Sequence, residues 1–283
     1  MDHEKWMKLA LEQAYQAIGL TSPNPCVGAV IVKQGKLLAK GYHLKAGQLH
    51  AEREAIKEAL VHHCLEDLKE ATIYVTLEPC STQGTTSACT DALIEYQFRE
   101  VVYGSSDPNP HHLGAAKKLL EAQGIKVTSG VLKEECDRLI RPFRKQMTKG
   151  LPWVIAKTAM SLDGRISRPK GESQWLSCEQ SRVQAHRLRA RVDAIIVGGR
   201  TVRKDNPSLT IRLPDLSSHK KQPLRVVLTH EGRESLPEKS AVFTDSFREY
   251  TKVYHQWELE SVLKDLCSLG CQSVLLELSL IHI

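Results

Sequence analysis

Residues 72–80 read TIYVTLEPC, six apolar, aromatic or β-branched positions followed directly by Glu78, Pro79 and Cys80. Such a run predicts a buried strand over Thr72–Leu77 that ends in a loop carrying a thiol. Upstream, His50 opens a predicted helix over about 50–62, and downstream Cys89 lies nine positions after Cys80. One imidazole and two thiolates suit tetrahedral zinc, and three protein ligands leave the fourth position for water. The sequence therefore predicts a zinc centre held by His50, Cys80 and Cys89.

Glu52 follows the predicted ligand His50 by two residues, on the same first helical turn. From there its carboxylate lies near a metal-held water without having to bind the metal, and it can move a proton from that water to a ring nitrogen and a leaving amine. His-x-Glu followed by Pro-Cys and a second cysteine is the signature of zinc deaminases. The short form of that signature separates the cysteines by two residues, whereas eight separate Cys80 from Cys89. We predict a cytidine-deaminase-type domain with Glu52 as its catalytic residue.

Helices and β-branched strands alternate along the chain, which is typical of an α/β fold. The first half has predicted helices at about 3–18, 50–62, 91–96, 112–123 and 134–147, and predicted strands at 27–32, 37–42, 72–77, 100–103 and 125–128. This order indicates an α/β/α sandwich. After Gly150-Leu151-Pro152, strands at 153–158, 193–197, 224–228 and 273–276 alternate with helices at 179–190 and 259–269, and Gly198-Gly199 caps the strand at 193–197. Such an order favours a parallel, Rossmann-like sheet. We predict domains at 1–147 and 151–283.

Length and composition agree with a two-domain globular protein. The 283 residues exceed the usual size of one domain, and the formal charge of +6 comes from 39 basic and 33 acidic residues spread along the chain. This mild excess suits small phosphorylated molecules and gives little support to a nucleic-acid partner. The eight cysteines have irregular spacing, so no disulfide framework is expected. With no signal peptide and no membrane-length apolar run, we expect a cytoplasmic protein with no membrane partner.

Several motifs of the first half together resemble the deaminase half of the bifunctional deaminase/reductases of riboflavin biosynthesis. They are Asn24-Pro25, Val27-Gly28, Gly41-Tyr42-His43, His50-Ala51-Glu52, Thr76-Leu77-Glu78-Pro79-Cys80-Ser81, Cys89 and Asp107-Pro108-Asn109-Pro110. The resemblance implies a cytidine-deaminase-like fold and the zinc-dependent hydrolysis of the amine of 2,5-diamino-6-(5-phosphoribosylamino)pyrimidin-4-one. It also implies that Asn24 binds the pyrimidine edge.

The loop between the two cysteines departs from that family's usual Pro-Cys-Ser-His-His-Gly-Lys/Arg-Thr-Pro-Pro-Cys. Thr82 and Gln83 replace the paired histidines, Thr85 replaces the basic residue, and Ser87 replaces the first of the two prolines. Because a cation next to a phosphorylated substrate is lost, we expect weaker substrate binding rather than altered chemistry.

The second half is similar to the reductase half of the same family, whose fold is like that of dihydrofolate reductase. The motifs that carry the similarity are 157–166, 171–175, 188–190, 193–195, 198–201, Asp205, Pro207 and 209–212. The resemblance implies that NADPH contacts Ala159, Trp175, Thr201 and Asp205. It implies that the ribosyl substrate contacts Ser173, Arg189, Leu209, Arg212 and Glu277, and that hydride delivery converts the opened ribose to a ribityl chain.

This half also departs from its family. Asn206 replaces an acid, His230 stands where a small hydroxyl residue is usual, and residues 278–283 read LSLIHI where the family continues with Gly-Gly and further elements. We expect a domain truncated at its C-terminus, with weak or absent reductase activity. We also expect uncovered apolar surface that favours homo-oligomers.

Two other functions are compatible with the zinc motif alone. One is a zinc deaminase acting on a nucleoside or a tRNA base, which would leave residues 151–277 without a role. The other is a non-catalytic protein that zinc merely stabilises. Glu52 discriminates the second from an enzyme, because its loss should stop ammonia release and leave zinc bound.

Overall fold

The structure, a computed structural model, describes residues 2–82, 87–109, 112–165, 176–217, 221–256 and 258–277. The chain divides into two compact units, Met1–Lys149 and Gly150–Ile283. Among the described residues, no helix has both the length and the apolar composition needed to cross a membrane.

The first unit is built around one mixed sheet. Its elements are α1 (His3–Gln16), β1 (Gly28–Lys33), β2 (Lys36–Tyr42), α2 (Ala51–His62), α3 (Leu65–Leu68), β3 (Thr72–Leu77), α4 (Cys89–Glu95), β4 (Glu100–Ser105), α5 (Ala115–Ala122), β5 (Lys126–Ser129), α6 (Lys133–Leu139) and α7 (Arg141–Lys149). The strand order is β2-β1-β3-β4-β5. β1 pairs antiparallel with β2 and β3, whereas β3, β4 and β5 are parallel.

Both faces of this sheet are covered by helices. Successive residues of β3 point to opposite faces, so Ile73 and Val75 join the core cluster under α2, α4 and α5. Tyr74 between them joins the cluster formed with α1 and α6. All six residues of β3 are buried. The α/β/α sandwich predicted from the alternation of elements is therefore the architecture observed.

Two glycines let helices lie directly on strand backbone. A Cβ added to Gly41 of β2 would lie 2.4 Å from the backbone nitrogen of Ala55 and 2.8 Å from the carbonyl oxygen of Ala51, both in α2. At Gly28 of β1, an added Cβ would lie 2.1 Å from the carbonyl oxygen of Ala10 in α1. Neither position has room for a side chain. The position of α2, which bears Glu52, is thus set by contact with the β2 main chain.

The second unit contains an all-parallel sheet. Its elements are β6 (Trp153–Lys157), α8 (Glu179–Arg189), β7 (Ala194–Gly198), α9 (Gly199–Asp205), α10 (Pro214–Ser217), β8 (Leu224–Thr229), α11 (Ala241–Thr244), β9 (Thr251–His255), α12 (Leu259–Ser268) and β10 (Ser273–Glu277). The strand order is β6-β10-β7-β8-β9, and every pair is parallel. Core clusters lie on both faces of the sheet. The parallel sheet predicted from the sequence is thus present.

Some predicted boundaries were wrong. The single helix predicted over 134–147 is two helices that meet at Ile140, because Pro142 has no N–H to continue the hydrogen-bond ladder and is tolerated only in a first turn. Strand β7 extends to Gly198, beyond the predicted end at Val197, and α9, which was not predicted, begins at Gly199. The short elements α3, α10, α11 and β9 were not predicted.

Candidate metal centre and active-site cleft

Three elements of the first unit bring one imidazole and two thiols together. His50 is the N-cap residue of α2, Cys80 follows β3, and Cys89 is the first residue of α4. The Nδ1 atom of His50 lies 3.5 Å from Sγ of Cys80 and 3.4 Å from Sγ of Cys89. The three donor atoms all lie within 4.8 Å of one another. These are the three residues that the sequence predicts as zinc ligands.

The donor geometry fits zinc. With zinc–sulfur bonds of about 2.3 Å and zinc–nitrogen bonds of about 2.0 Å, tetrahedral coordination places sulfur and nitrogen ligands about 3.5 Å apart. The pKa of the Cys80 thiol is lowered to about 4, because it accepts hydrogen bonds from the Cys89 thiol, from His50 and from the Cys89 backbone. The pKa of Cys89 is raised by its hydrogen bond to Cys80 and by burial. Two thiols that compete for one proton are suited to a shared cation, which stabilises both as thiolates.

Glu52 lies beside this cluster in the first turn of α2 and is only 3% exposed. Burial raises the pKa of its carboxyl, and the nearby Cys80 raises it further. A raised pKa makes the carboxylate a stronger base, which suits a group that accepts a proton and returns it. Since the cluster already offers three ligands, Glu52 remains available for proton transfer.

A cleft of about 350 Å³ opens from the metal cluster. It is lined by Pro23, Asn24, Pro25, Val27, His43, His50, Ala51, Glu52, Leu77, Glu78, Cys80, Asp107, Asn109, His112, Phe143 and Met147. The cleft mixes apolar walls with a few polar groups, as small-molecule sites do. Asn24, for which the resemblance implies contact with a pyrimidine, is among these residues.

A hydrogen-bond chain orients Asn24. His43 is 2% exposed, with Nδ1 2.9 Å from the carbonyl oxygen of Leu49 and Nε2 3.1 Å from Nδ2 of Asn24. A carbonyl only accepts, so Nδ1 carries the hydrogen and Nε2 accepts from the Asn24 amide. Burial lowers the pKa of His43, which favours this neutral form. The Asn24 carbonyl oxygen is therefore left to accept from N–H groups of a bound molecule.

Two carboxylates on the cleft wall were quoted in the sequence motifs without an assigned role. Glu78 is 3% exposed; one of its oxygens accepts from the Asp107 backbone N–H at 3.3 Å, and Oε1 has no hydrogen-bond partner within the described part of the chain. Asp107 accepts from the Asn109 backbone N–H at 2.8 Å, and burial raises its pKa. Unsatisfied buried acceptors favour ligands rich in N–H donors. The sequence signal for Glu78 is its position directly before Pro79-Cys80.

The second unit groups three of its predicted substrate residues. Arg189 donates from Nε and Nη2 to the two oxygens of Glu277, at 2.6 and 2.8 Å, and from Nη1 to the Thr210 carbonyl at 3.2 Å. Burial lowers the pKa of Arg212, and the neighbouring Arg189 lowers it further. Arg189 at the end of α8 and Glu277 at the end of β10 therefore lie near Arg212, which precedes α10. Planar guanidinium groups are suited to binding phosphate.

The other predicted residues of the second unit have different environments. Leu209 is 1% exposed and packs in a core cluster, so only its backbone, at a φ of 54°, is available to a ligand. Half-buried Ala159 follows β6, and half-buried Thr201 and Asp205 lie on α9. Ser173 and Trp175 lie outside the described residues, as do Gln83, Thr85 and 278–283.

Comparisons with known proteins match both units. The family model of the cytidine and deoxycytidylate deaminase zinc-binding region matches residues 1–105, and that of the RibD C-terminal domain matches residues 152–281. The riboflavin biosynthesis protein RibD of Actinobacillus pleuropneumoniae is 45% identical over 82% of this chain and 59% of the relative. That of Bacillus amyloliquefaciens is 39% identical over 99% of this chain and 73% of the relative. This chain thus spans only part of these relatives' length.

Solved structures agree. RibD of Acinetobacter baumannii has a TM-score of 0.87 at 34% identity, covering 98% of this chain and 80% of that one. The diaminohydroxyphosphoribosylaminopyrimidine deaminase/5-amino-6-(5-phosphoribosylamino)uracil reductase of Thermotoga maritima has a TM-score of 0.87 at 38% identity, covering 97% and 80%. These similarities and the two family matches confirm the predicted fold class.

Proposed function

Because this chain belongs to the RibD family of bifunctional deaminase/reductases of riboflavin biosynthesis, we propose that each of its units performs one of the two reactions. The first unit hydrolyses the amine of 2,5-diamino-6-(5-phosphoribosylamino)pyrimidin-4-one, releasing ammonia. The second reduces the ribosyl group of the product with NADPH. The matched families, a zinc-binding deaminase region and the RibD C-terminal domain, support the cofactors Zn²⁺ and NADPH that the sequence motifs predict. A tRNA deaminase would leave the second unit unexplained.

The deaminase proposal depends on one observation: the convergence of His50, Cys80 and Cys89 beside a buried Glu52 on a cleft that admits a small molecule. We propose His50, Cys80 and Cys89 as the zinc ligands. Zinc, when bound, would supply Lewis-acid polarisation of a water in the cleft. Glu52 moves one proton of that water to the ring nitrogen and then moves its second proton, from the new hydroxyl on the ring carbon, to the amine, which leaves as ammonia while the carbonyl forms. The exchange consumes one water and releases one ammonia.

Polar side chains on the cleft walls position the pyrimidine ring of the substrate. The Asn24 carbonyl, directed by His43, accepts from the pyrimidine N–H edge, and Glu78 has a free acceptor oxygen for a further N–H group. A ring with two amino substituents presents several such donors. A pyrimidine edge that carries only acceptors would leave these buried groups unpaired, which disfavours its binding.

For the reductase, the proposed substrate residues are Arg189, Arg212 and Glu277, with Ser173 and the backbone of Leu209. Arg189 and Arg212 bind the phosphate of the ribosyl chain, and Glu277 holds Arg189 in its orientation through the bidentate pair.

NADPH, when bound, supplies the hydride. Among the described atoms, none would lie within 4 Å of a Cβ added to Gly198, which lies at the carboxyl end of β7, the edge where parallel sheets bind ligands. Thr201 and Asp205 follow on α9. They are proposed as NADPH contacts together with Ala159 and Trp175.

One experiment tests both reactions. The zinc-loaded full chain is incubated with the diaminopyrimidine phosphate, with and without NADPH, and the products are analysed by mass spectrometry. The expected result is an amine-to-carbonyl exchange in both samples and the addition of two hydrogens only with NADPH, at a low rate because the sequence motifs predict a weak reductase. Zinc-loaded protein that releases no ammonia would refute the deaminase, and an unreduced product in the presence of NADPH would refute the reductase.

A further inference from the structure

The active-site cleft of the first unit contains an unusual set of charges for a protein that binds a phosphorylated molecule. Among the described residues lining it there is no lysine or arginine, whereas Glu52, Glu78 and Asp107 are carboxyl groups. The basic residue of the family's cysteine loop is replaced by Thr85, and its first loop histidine by Thr82. Among the described lining residues, a phosphate dianion therefore needs a donor other than lysine or arginine.

His112 is the lining side chain whose chemistry meets this need. Both ring nitrogens of His43 are occupied, by the Leu49 carbonyl and by Asn24, and Nδ1 of His50 faces the two cysteines. His112 is half-buried and precedes α5, on a wall of the cleft that also includes Asn109. Glu52, at the metal cluster, is fully buried by comparison. His112 thus lies where a substrate arm would extend toward solvent.

A hydrogen bond to Thr82 orients the His112 ring. Oγ1 of Thr82 lies 3.3 Å from Nδ1 of His112. When the hydroxyl donates to Nδ1, the hydrogen of the neutral imidazole lies on Nε2, at the opposite corner of the ring. The backbone around His112 is also held, because its N–H donates to the Asn109 carbonyl at 3.0 Å and its own carbonyl accepts from Ala115 at 3.0 Å.

We propose that His112 binds the phosphorylated ribose arm of the deaminase substrate through Nε2–H, and that Thr82 positions its ring. The inference rests on the proposed deaminase function and deepens it by naming a specificity residue. Thr82 stands at the position of a family histidine and hydrogen-bonds His112, which lies on a different loop. This chain would thus retain an imidazole at the phosphate-binding end of the cleft.

The kinetic test compares two variants on two substrates. His112→Leu should lower kcat/KM for the phosphorylated substrate about 10- to 100-fold, as expected for loss of one hydrogen bond to a charged group, with kcat changed less than about twofold. Its effect on the dephosphorylated ribosyl substrate should be negligible. His112→Gln, which keeps an N–H donor near the Nε2 position, should recover most of the loss. His62→Leu, at the exposed end of α2, is the matched control. An equal loss on both substrates, or no loss, would overturn the proposal.

A binding measurement decides the inference without turnover. In zinc-loaded full chain labelled with ¹⁵N, the His112 ring signals are identified by their absence in His112→Gln. Titration with ribose 5-phosphate should shift these signals to saturation, and Thr82→Val should weaken this binding several-fold. If the phosphate leaves the His112 signals unmoved, the inference is wrong, even for an active deaminase. If they move in a protein that deaminates nothing, the phosphate site stands and the proposed reaction fails.

Discussion

Substituting Glu52 by Gln tests whether this side chain transfers protons while the three other residues of the metal centre hold zinc. Glutamine keeps the size and a hydrogen-bonding oxygen, but it cannot accept and return a proton at neutral pH. The side chain is 3% exposed and belongs to the first turn of α2, so an isosteric exchange should leave the helix in place. The zinc cluster should also remain, because His50, Cys80 and Cys89 supply the three proposed ligands.

The size of the effect follows from the contacts. General acid–base catalysis contributes about 10²- to 10⁴-fold, which is about 3–5 kcal/mol of transition-state stabilisation. His43 cannot replace the missing base, because its Nδ1 donates to Leu49 and its Nε2 accepts from Asn24. We therefore expect kcat for ammonia release to fall about 10³-fold in Glu52→Gln, near the middle of that range.

The assay couples ammonia release to zinc analysis of the same preparation. Glu54→Gln is the matched control, since it removes the same charge from the same turn of α2. It should retain full activity, and both variants should bind one zinc per chain. If Glu52→Gln keeps more than about a tenth of the activity, proton transfer runs through another group. If it loses zinc instead, Glu52 belongs to the metal-binding set.

Three further predictions concern the scaffold. Gly41→Ala should lower the melting temperature and the zinc content together, because its Cβ would meet the backbone of α2; an unchanged zinc content would contradict this. Asp137→Asn should lower the free energy of unfolding in urea at pH 7 by about 1–3 kcal/mol. Burial acts to raise the pKa of Asp137, but hydrogen bonds from Arg144, Lys133 and Ser105 outweigh it and lower the pKa, so this stabilisation is present above the unfolded pKa. This stabilisation is lost as the pH falls through the lowered pKa of Asp137 in the folded protein. The difference in unfolding free energy between variant and wild type should therefore narrow below about pH 4. A difference that stays constant with pH would argue against the ion pair. Arg225→Met should lower the free energy of unfolding by about 3–5 kcal/mol in the same urea assay, because the Asp245 carboxylate would lose both hydrogen bonds from the buried guanidinium. A loss below about 1 kcal/mol would refute this explanation.

The metal cluster was predictable because its signals are local. A buried strand followed by Pro-Cys, and a helix opened by His-x-Glu, each identify a donor and its direction within a few residues. What these local signals do not show is that the two segments lie next to each other in space. The sheet order brings them together, because β3 is the central strand of the first sheet and α2 packs on one face of that sheet.

Contacts between side chains far apart in the sequence could not be predicted in the same way. Thr82 and His112 contact each other across 30 residues, and Arg189 and Glu277 across 88. No spacing rule links such pairs. The resemblance to a family named Arg189 and Glu277 as separate substrate contacts, whereas the structure joins them in one ion pair.

Secondary structure was missed where a local rule opposed a longer pattern. The apolar and basic pattern over 134–147 continues across Ile140, although the helix does not, because Pro142 is tolerated only in the first turn of a new helix, α7. Strand β9 has exposed and half-buried positions at the edge of its sheet, so its sequence has weak alternation.

The bare main-chain contact at Gly41 has a consequence for engineering. Since α2 rests on β2 without an intervening side chain, the spacing between them does not depend on how apolar side chains fill the opposite core. Repacking Trp6, Met7 or Leu11, which α1 presents to the other face of the sheet, should change heat resistance without altering turnover. Libraries aimed at durability should therefore vary that face and leave the β2–α2 contact untouched.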